Sequence, residues 1–96
     1  MSRIEEVIQS PIFAKQKKKL KKNQIKKLDE AIKTIMADPK IGNAKYGDLQ
    51  GVRVYKYKLG NNQILLAYEI IDSTLYLYTF GSHKNFYREL SKYIHQ

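Results

Sequence analysis

Cysteine is absent from the 96 residues, which excludes disulfides and thiolate metal sites and is compatible with a reducing compartment. Histidine occurs only twice, so little remains to hold a metal, and no metal or other cofactor is expected. No stretch approaches the ~20 apolar residues of a membrane span. The amino terminus, MSRIEEVIQS, carries two glutamates where a secretory signal needs continuous apolar sequence. These absences predict a soluble, cytoplasmic protein. Repeats, low-complexity tracts and linkers are missing too, and a chain this short rarely divides its core, so residues 1–96 are read as one domain.

Carboxylates are also scarce, nine against eighteen lysines and arginines, and the gap is uneven. None occurs between Glu6 and Asp29, whereas Lys15, Lys17, Lys18, Lys19, Lys21, Lys22, Lys26 and Lys27 crowd into that interval. A charge run of this kind serves solubility on a solvated helical face. Interspersed signs would serve solubility equally well, so the missing counter-charge favours a surface that meets phosphates, with Lys18, Lys19 and Lys22 among its contacts. Such contacts strengthen and position binding without choosing a sequence. The net charge of +9 biases partners towards polyanions.

What is present is enough apolar sequence to fold: 43% of residues are hydrophobic and 28% charged, a globular balance. Residues 4–9 alternate weakly and read as a short first strand. Ser10 offers an N-cap oxygen and Pro11 suits the first helical position, predicting a helix to about Lys22. Asn23 ends that helix or caps the next. Ile25, Leu28, Ile32, Ile35 and Met36 recur at spacings of three and four, the stripe of a second helix that stops near Asp38 before Pro39. Residues 41–51 read as a loop. Val52 to Leu59 alternates, with Arg53, Tyr55, Tyr57 and Leu59 on one face and Val52, Val54, Lys56 and Lys58 on the other. Gly60-Asn61-Asn62 makes a tight turn. Gln63 to Ile71 is the nearly continuous apolar run of a central strand. Thr74 to Phe80 completes a three-stranded antiparallel meander, with Tyr76, Tyr78 and Phe80 on one side. Lys84 to Ile94 reads as a last short helix. The predicted fold is α+β: an amino-terminal strand and a helix hairpin packed on one face of a small antiparallel sheet, with a carboxyl-terminal meander and short helix.

The segment from Thr79 to Leu90, TFGSHKNFYREL, concentrates the chemistry. His83 falls where a strand hands over to a helix. Histidine is the side chain suited to exchanging protons near neutral pH, as transfer to or from a ribose hydroxyl or a leaving oxygen requires. The bland alternative is a loop histidine that caps or decorates the surface. Tyr87, one helical turn on, is placed to stack on a splayed base, whereas Phe86 is read as core. Lys56, Lys58, Arg53 and Arg88 approach the same end of the sheet and offer cations to a phosphate. His95, one residue from the end, is read as idle.

The order of elements, the segment Asp48-Leu49-Gln50-Gly51 leading to Val54-Tyr55-Lys56-Tyr57-Lys58-Leu59, then Leu65-Leu66-Ala67-Tyr68-Glu69-Ile70 and the closing Gly81-Ser82-His83-Lys84-Asn85-Phe86-Tyr87-Arg88 resemble the RelE/ParE superfamily of bacterial toxins. The likeness runs from about Ser10 to Leu90 and is strongest over residues 48–88, with the RelE and YafQ-like branch of messenger-RNA endonucleases. It implies a toxin held by a cognate antitoxin that acts in the ribosomal A site. The implied cleavage is metal-independent, the ribose 2′-hydroxyl attacking the adjacent phosphate. His83 then matches a catalytic histidine or arginine, Tyr87 an aromatic stacking residue, and Lys56 and Lys58 the base or charge-stabilising lysines of the second strand. Arg53 and Arg88 enter from their position alone. The pattern also departs from the family. Leu65 stands where RelE-type enzymes carry an arginine, Gly47 and a residue around Tyr57 where YafQ-like members carry histidines, and Gln63 roughly where those members place an aspartate. Two alternatives remain: a ParE-like inhibitor of DNA gyrase that performs no chemistry, and a non-catalytic basic module that binds RNA or an acidic protein.

Overall fold

A computed structural model describes residues 4–83, 86, 87 and 90. Among these, the order is β1 (Glu6–Gln9), α1 (Pro11–Lys18), α2 (Lys22–Ala37), β2 (Asn43–Ala44), β3 (Arg53–Leu59), β4 (Asn62–Ile71) and β5 (Thr74–Ser82). The strands form one sheet in the order β1-β5-β4-β3-β2. Its pairings are antiparallel except that β1 joins β5 in parallel, so the sheet of this α+β fold is mixed.

Ser10 starts α1 as its chemistry predicts, its hydroxyl accepting the Phe13 amide at 3.0 Å with Pro11 in the first turn. The same hydroxyl donates to the Tyr78 carbonyl, which ties the helix start to β5. The helix ends at Lys18, short of the expected Lys22. The amides of Lys19 and Leu20 bond back three residues to Gln16 and Lys17, tightening the last turn, and the chain leaves the helix before Lys22. Lys21, not Asn23, precedes the first turn of α2, and its amide is capped by the Gln24 side chain at 2.8 Å. The predicted loop over residues 41–51 holds the two-residue β2 and a single 3₁₀ turn, Gly47–Leu49.

The two sheet faces carry separate cores. Phe13 of α1 and Leu28, Ala31 and Ile35 of α2 pack on Leu66, Tyr68, Leu75, Leu77 and Phe80. Met36, at the edge of the predicted stripe, is exposed. On the opposite face Val52, Val54, Leu65 and Ala67 meet Phe86 and Leu90, with Tyr78 and Tyr87 against them. Alternation along β4 explains the split, Leu65 and Ala67 pointing one way and Leu66 and Tyr68 the other. Helical packing is therefore not confined to one face: the hairpin covers one, and the helical residues Phe86, Tyr87 and Leu90 lie against the other. The rest of the predicted last helix, Arg88 included, and His95 beyond it lie outside the described residues.

A β-bulge decides what β5 presents. Tyr68 pairs with Leu77 but Ala67 pairs with Thr79, leaving Tyr78 as the extra residue. Plain alternation puts Tyr76, Tyr78 and Phe80 on one side. The bulge instead sends Phe80 to the helix hairpin beside Leu75 and Leu77, and Tyr78 to the other face. It also sets the phase of everything after it, so that Gly81 lies across from Leu65.

The β5 edge beyond β1 is closed by one side chain. The Gln16 amide donates to the Phe80 carbonyl at 2.9 Å, and its oxygen accepts from the Phe80 amide at 3.2 Å and the Thr79 hydroxyl at 3.1 Å, doing what a neighbouring strand does. Gln16→Leu fits the same space but leaves those backbone groups unmatched. It is expected to cost about 1–3 kcal/mol, read as a lower urea midpoint at unchanged slope.

Behind the sheet, the Tyr68 hydroxyl donates to the Pro39 carbonyl at 2.8 Å and accepts the Gly42 amide at 3.0 Å. A side chain at Gly42 would put its Cβ 2.7 Å from that hydroxyl, so the position requires glycine. Burial pushes the Tyr68 phenol up, countered in part by the Gly42 amide and Arg53, and burial pushes Tyr57 up to about 12. Unfolded tyrosine ionises near pH ~10. The folded chain holds these protons more tightly, so their stabilisation is complete below that pH and is lost as pH rises towards 12. Thermal melts should fall across that interval, and less steeply in Tyr57→Phe.

Candidate functional site

His83 directly follows β5 and is exposed, with its carbonyl accepting the Phe86 amide at 3.4 Å. The bulge is what brings it to the face of Lys56 and Lys58. Because Phe80 faces the hairpin, the odd positions after it face away, and the pairing rows run Lys56, Leu65, Gly81 and then Lys58, Gln63. Neighbouring strands lie about 4.8 Å apart, so Lys56 stands about 10 Å from Gly81, a gap that a lysine stem and a phosphate bridge together. Gly81 leaves that row open, since a Cβ there would meet nothing within 4 Å. Lys56 and Lys58 are both exposed.

Tyr87 lies on the same face. Its ring centroid is 6.0 Å from that of His83, with the planes at 75°, and 5.1 Å from that of the core residue Phe86. The Lys45 ammonium sits 5.1 Å from the Tyr87 centroid, over the ring. The sequence gives no sign of Lys45, which lies in an aperiodic loop. Its amide bonds to the Val52 carbonyl, which anchors it beside the start of β3.

The remaining predicted residues divide. Lys18 and Lys19 end α1 and Lys22 begins α2, all three exposed. Gln16 binds Phe80, so this end of the hairpin lies at the end of the sheet that carries His83. The pairing of Ile64 with Ser82 brings the β3–β4 turn and Lys58 to that end as well. Arg53 is not brought to this group. Its alternation places it on the hairpin side, where its guanidinium donates to the Gly42 carbonyl at 2.7 Å and the Lys40 carbonyl at 3.2 Å, fastening the loop after α2. Arg88 lies outside the described residues.

The departures from the family pattern have local reasons. Leu65, where an arginine would stand, is fully buried in the second core. Gly47 has φ of 68°, a left-handed backbone that glycine adopts without steric cost. Tyr57 faces the hairpin, stacked on Tyr55 with centroids 6.4 Å apart. Gln63 is exposed beside Lys58. Among the described residues no cluster of histidine and carboxylate side chains could hold a metal, and no helix is long and apolar enough to cross a membrane.

The model of the ParE-like toxins of type II bacterial toxin–antitoxin systems matches residues 7–91. The chain belongs to that family, and with it to the RelE/ParE superfamily of type II toxins. Solved structures share the fold. A mutant of the E. coli toxin RelE in the free state superposes with a TM-score of 0.69 at 17% identity, covering 95% of this chain and 94% of that one. RelE in the intact E. coli RelBE toxin–antitoxin complex gives 0.64 at 19% identity, covering 81% and 95%. The archaeal RelE–RelB complex of Pyrococcus horikoshii gives 0.54 at 14% identity, covering 88% and 98%. No curated protein matches the chain in sequence.

Proposed function

We propose that this toxin is a ribosome-dependent messenger-RNA endonuclease that arrests translation without a metal. The observation that carries the reading is the convergence, on one face at one end of the sheet, of His83, Tyr87, Lys56 and Lys58 after the β5 bulge. In the proposed reaction the ribose 2′-oxygen attacks the adjacent phosphorus and the bond to the 5′-oxygen breaks, giving a cyclic 2′,3′-phosphate and a free 5′-hydroxyl. His83 takes the 2′ proton or supplies one to the leaving oxygen, and Lys56 and Lys58 offset the charge that grows on the phosphate. Tyr87 stacks a base and fixes the attack line. The lysines around Lys18, Lys19 and Lys22 hold ribosomal or messenger phosphates at the same end. Leu65 leaves the central-strand arginine of the family pattern without a counterpart, so its charge falls to other residues.

The protein acts in the cytoplasm, and its partner is an antitoxin, as in the two similar complexes. A +9 chain gains from an acidic segment laid over its open face. A translating extract tests the reading: added protein should stop synthesis and cut transcripts only when ribosomes are engaged. Intact transcripts in a halted extract would count against it.

The ParE-like family match favours one second reading, inhibition of DNA gyrase by contact. It predicts arrest with DNA damage while protein synthesis continues, and indifference to His83→Ala.

A further inference from the structure

We infer that Lys45 is a substrate-phosphate ligand, parked on the Tyr87 ring in the free protein and released to the phosphate when a base takes its place. The inference rests on the proposed RNA-binding role of this face. Lys45 covers the ring from 5.1 Å, while Phe86 and the second core pack against Tyr87. A base stacking on the ring occupies the position of the ammonium and displaces it. The cation does not leave the site, because its backbone is fixed by the bond to Val52. The nucleotide that displaces it carries a phosphate into the same space, and a charge-assisted contact replaces the cation–π one.

The arrangement also answers a gap in the site. Leu65 is buried at the central-strand position and brings no charge, whereas Lys45 brings a cation to the same face from the loop before β3. Its ammonium and the His83 imidazole flank one ring, so a stacked nucleotide lies between them.

The test compares wild type, Lys45→Ala and Lys45→Arg, with Lys33→Ala on the exposed side of α2 as control. The first readout is binding of a short single-stranded RNA with methylated 2′-hydroxyls, followed by anisotropy over a range of salt. Each phosphate contact on single-stranded RNA contributes about 0.7 to the slope of log affinity against log salt. Lys45→Ala should lose about 0.7 from that slope, Lys45→Arg should keep it, and Lys33→Ala should match wild type. The second readout is ribosome-dependent cleavage, which Lys45→Ala should slow at least about tenfold and Lys45→Arg should restore. If wild type binds and cuts while Lys45→Ala keeps its slope and rate, the inference fails and the nuclease reading stands. If wild type binds but never cuts, the nuclease reading fails, and the slope alone decides Lys45. Absence of RNA binding by wild type overturns both.

Discussion

Replacing His83 with alanine should slow ribosome-dependent cleavage by about 100- to 10,000-fold, the range that a positioned acid or base contributes. The fold should be unaffected. His83 is exposed at the end of β5 and belongs to neither buried cluster, so melts of wild type and variant should coincide. That separation makes the prediction specific, because lost toxicity with an unchanged melt cannot be assigned to unfolding. The variant should still bind RNA with a near wild-type salt slope, since the lysines proposed to meet phosphates remain. A cleavage rate within a few-fold of wild type would remove His83 from the mechanism.

Phe13→Ala should be the most damaging single truncation on the hairpin side, costing about 3–5 kcal/mol. Phe13 is fully buried and meets Phe80 edge-on, with centroids 5.0 Å apart. It sits one turn after the Ser10 cap, so its ring is the first apolar contact that holds α1 to β5. Small domains have only about 5–15 kcal/mol in total. The variant should therefore melt more than about 10 °C below wild type. The consequence reaches the candidate site, because α1 also closes the β5 edge through Gln16 and brings Lys18 and Lys19 to the end of the sheet that carries His83. A partner that binds only the folded state should recover part of the loss. A drop of only a degree or two would mean that the site collapses around the missing ring and that Phe13 does not anchor the hairpin.

Much of this was legible in residue order. Ser10 and Pro11 mark a helix start that the structure shows, and the even alternation of Val52 to Leu59 separates Lys56 and Lys58 from Tyr55 and Tyr57 as observed. Phe86 falls in the core as its spacing suggests. What was not legible came from tertiary structure. The parallel pairing of β1 with β5 leaves no local signal in four exposed residues. The bulge at Tyr78 has no sequence mark either, since alternation predicts Tyr76, Tyr78 and Phe80 on one side; pairing with β4 overrides it. Position in the sequence groups Arg53 with the site, whereas its own alternation points it to the loop carbonyls of Lys40 and Gly42. Lys45 carries no sequence signal, because only the packing of Tyr87 makes it a neighbour of the site.

The central claim, that the bulge-phased face cuts messenger RNA, is tested most directly by mapping transcript ends after the protein is induced alone in translating cells. New 5′-hydroxyl ends are expected, spaced by codon within translated regions and lost in His83→Ala. Intact transcripts with DNA breaks and continuing synthesis would contradict it.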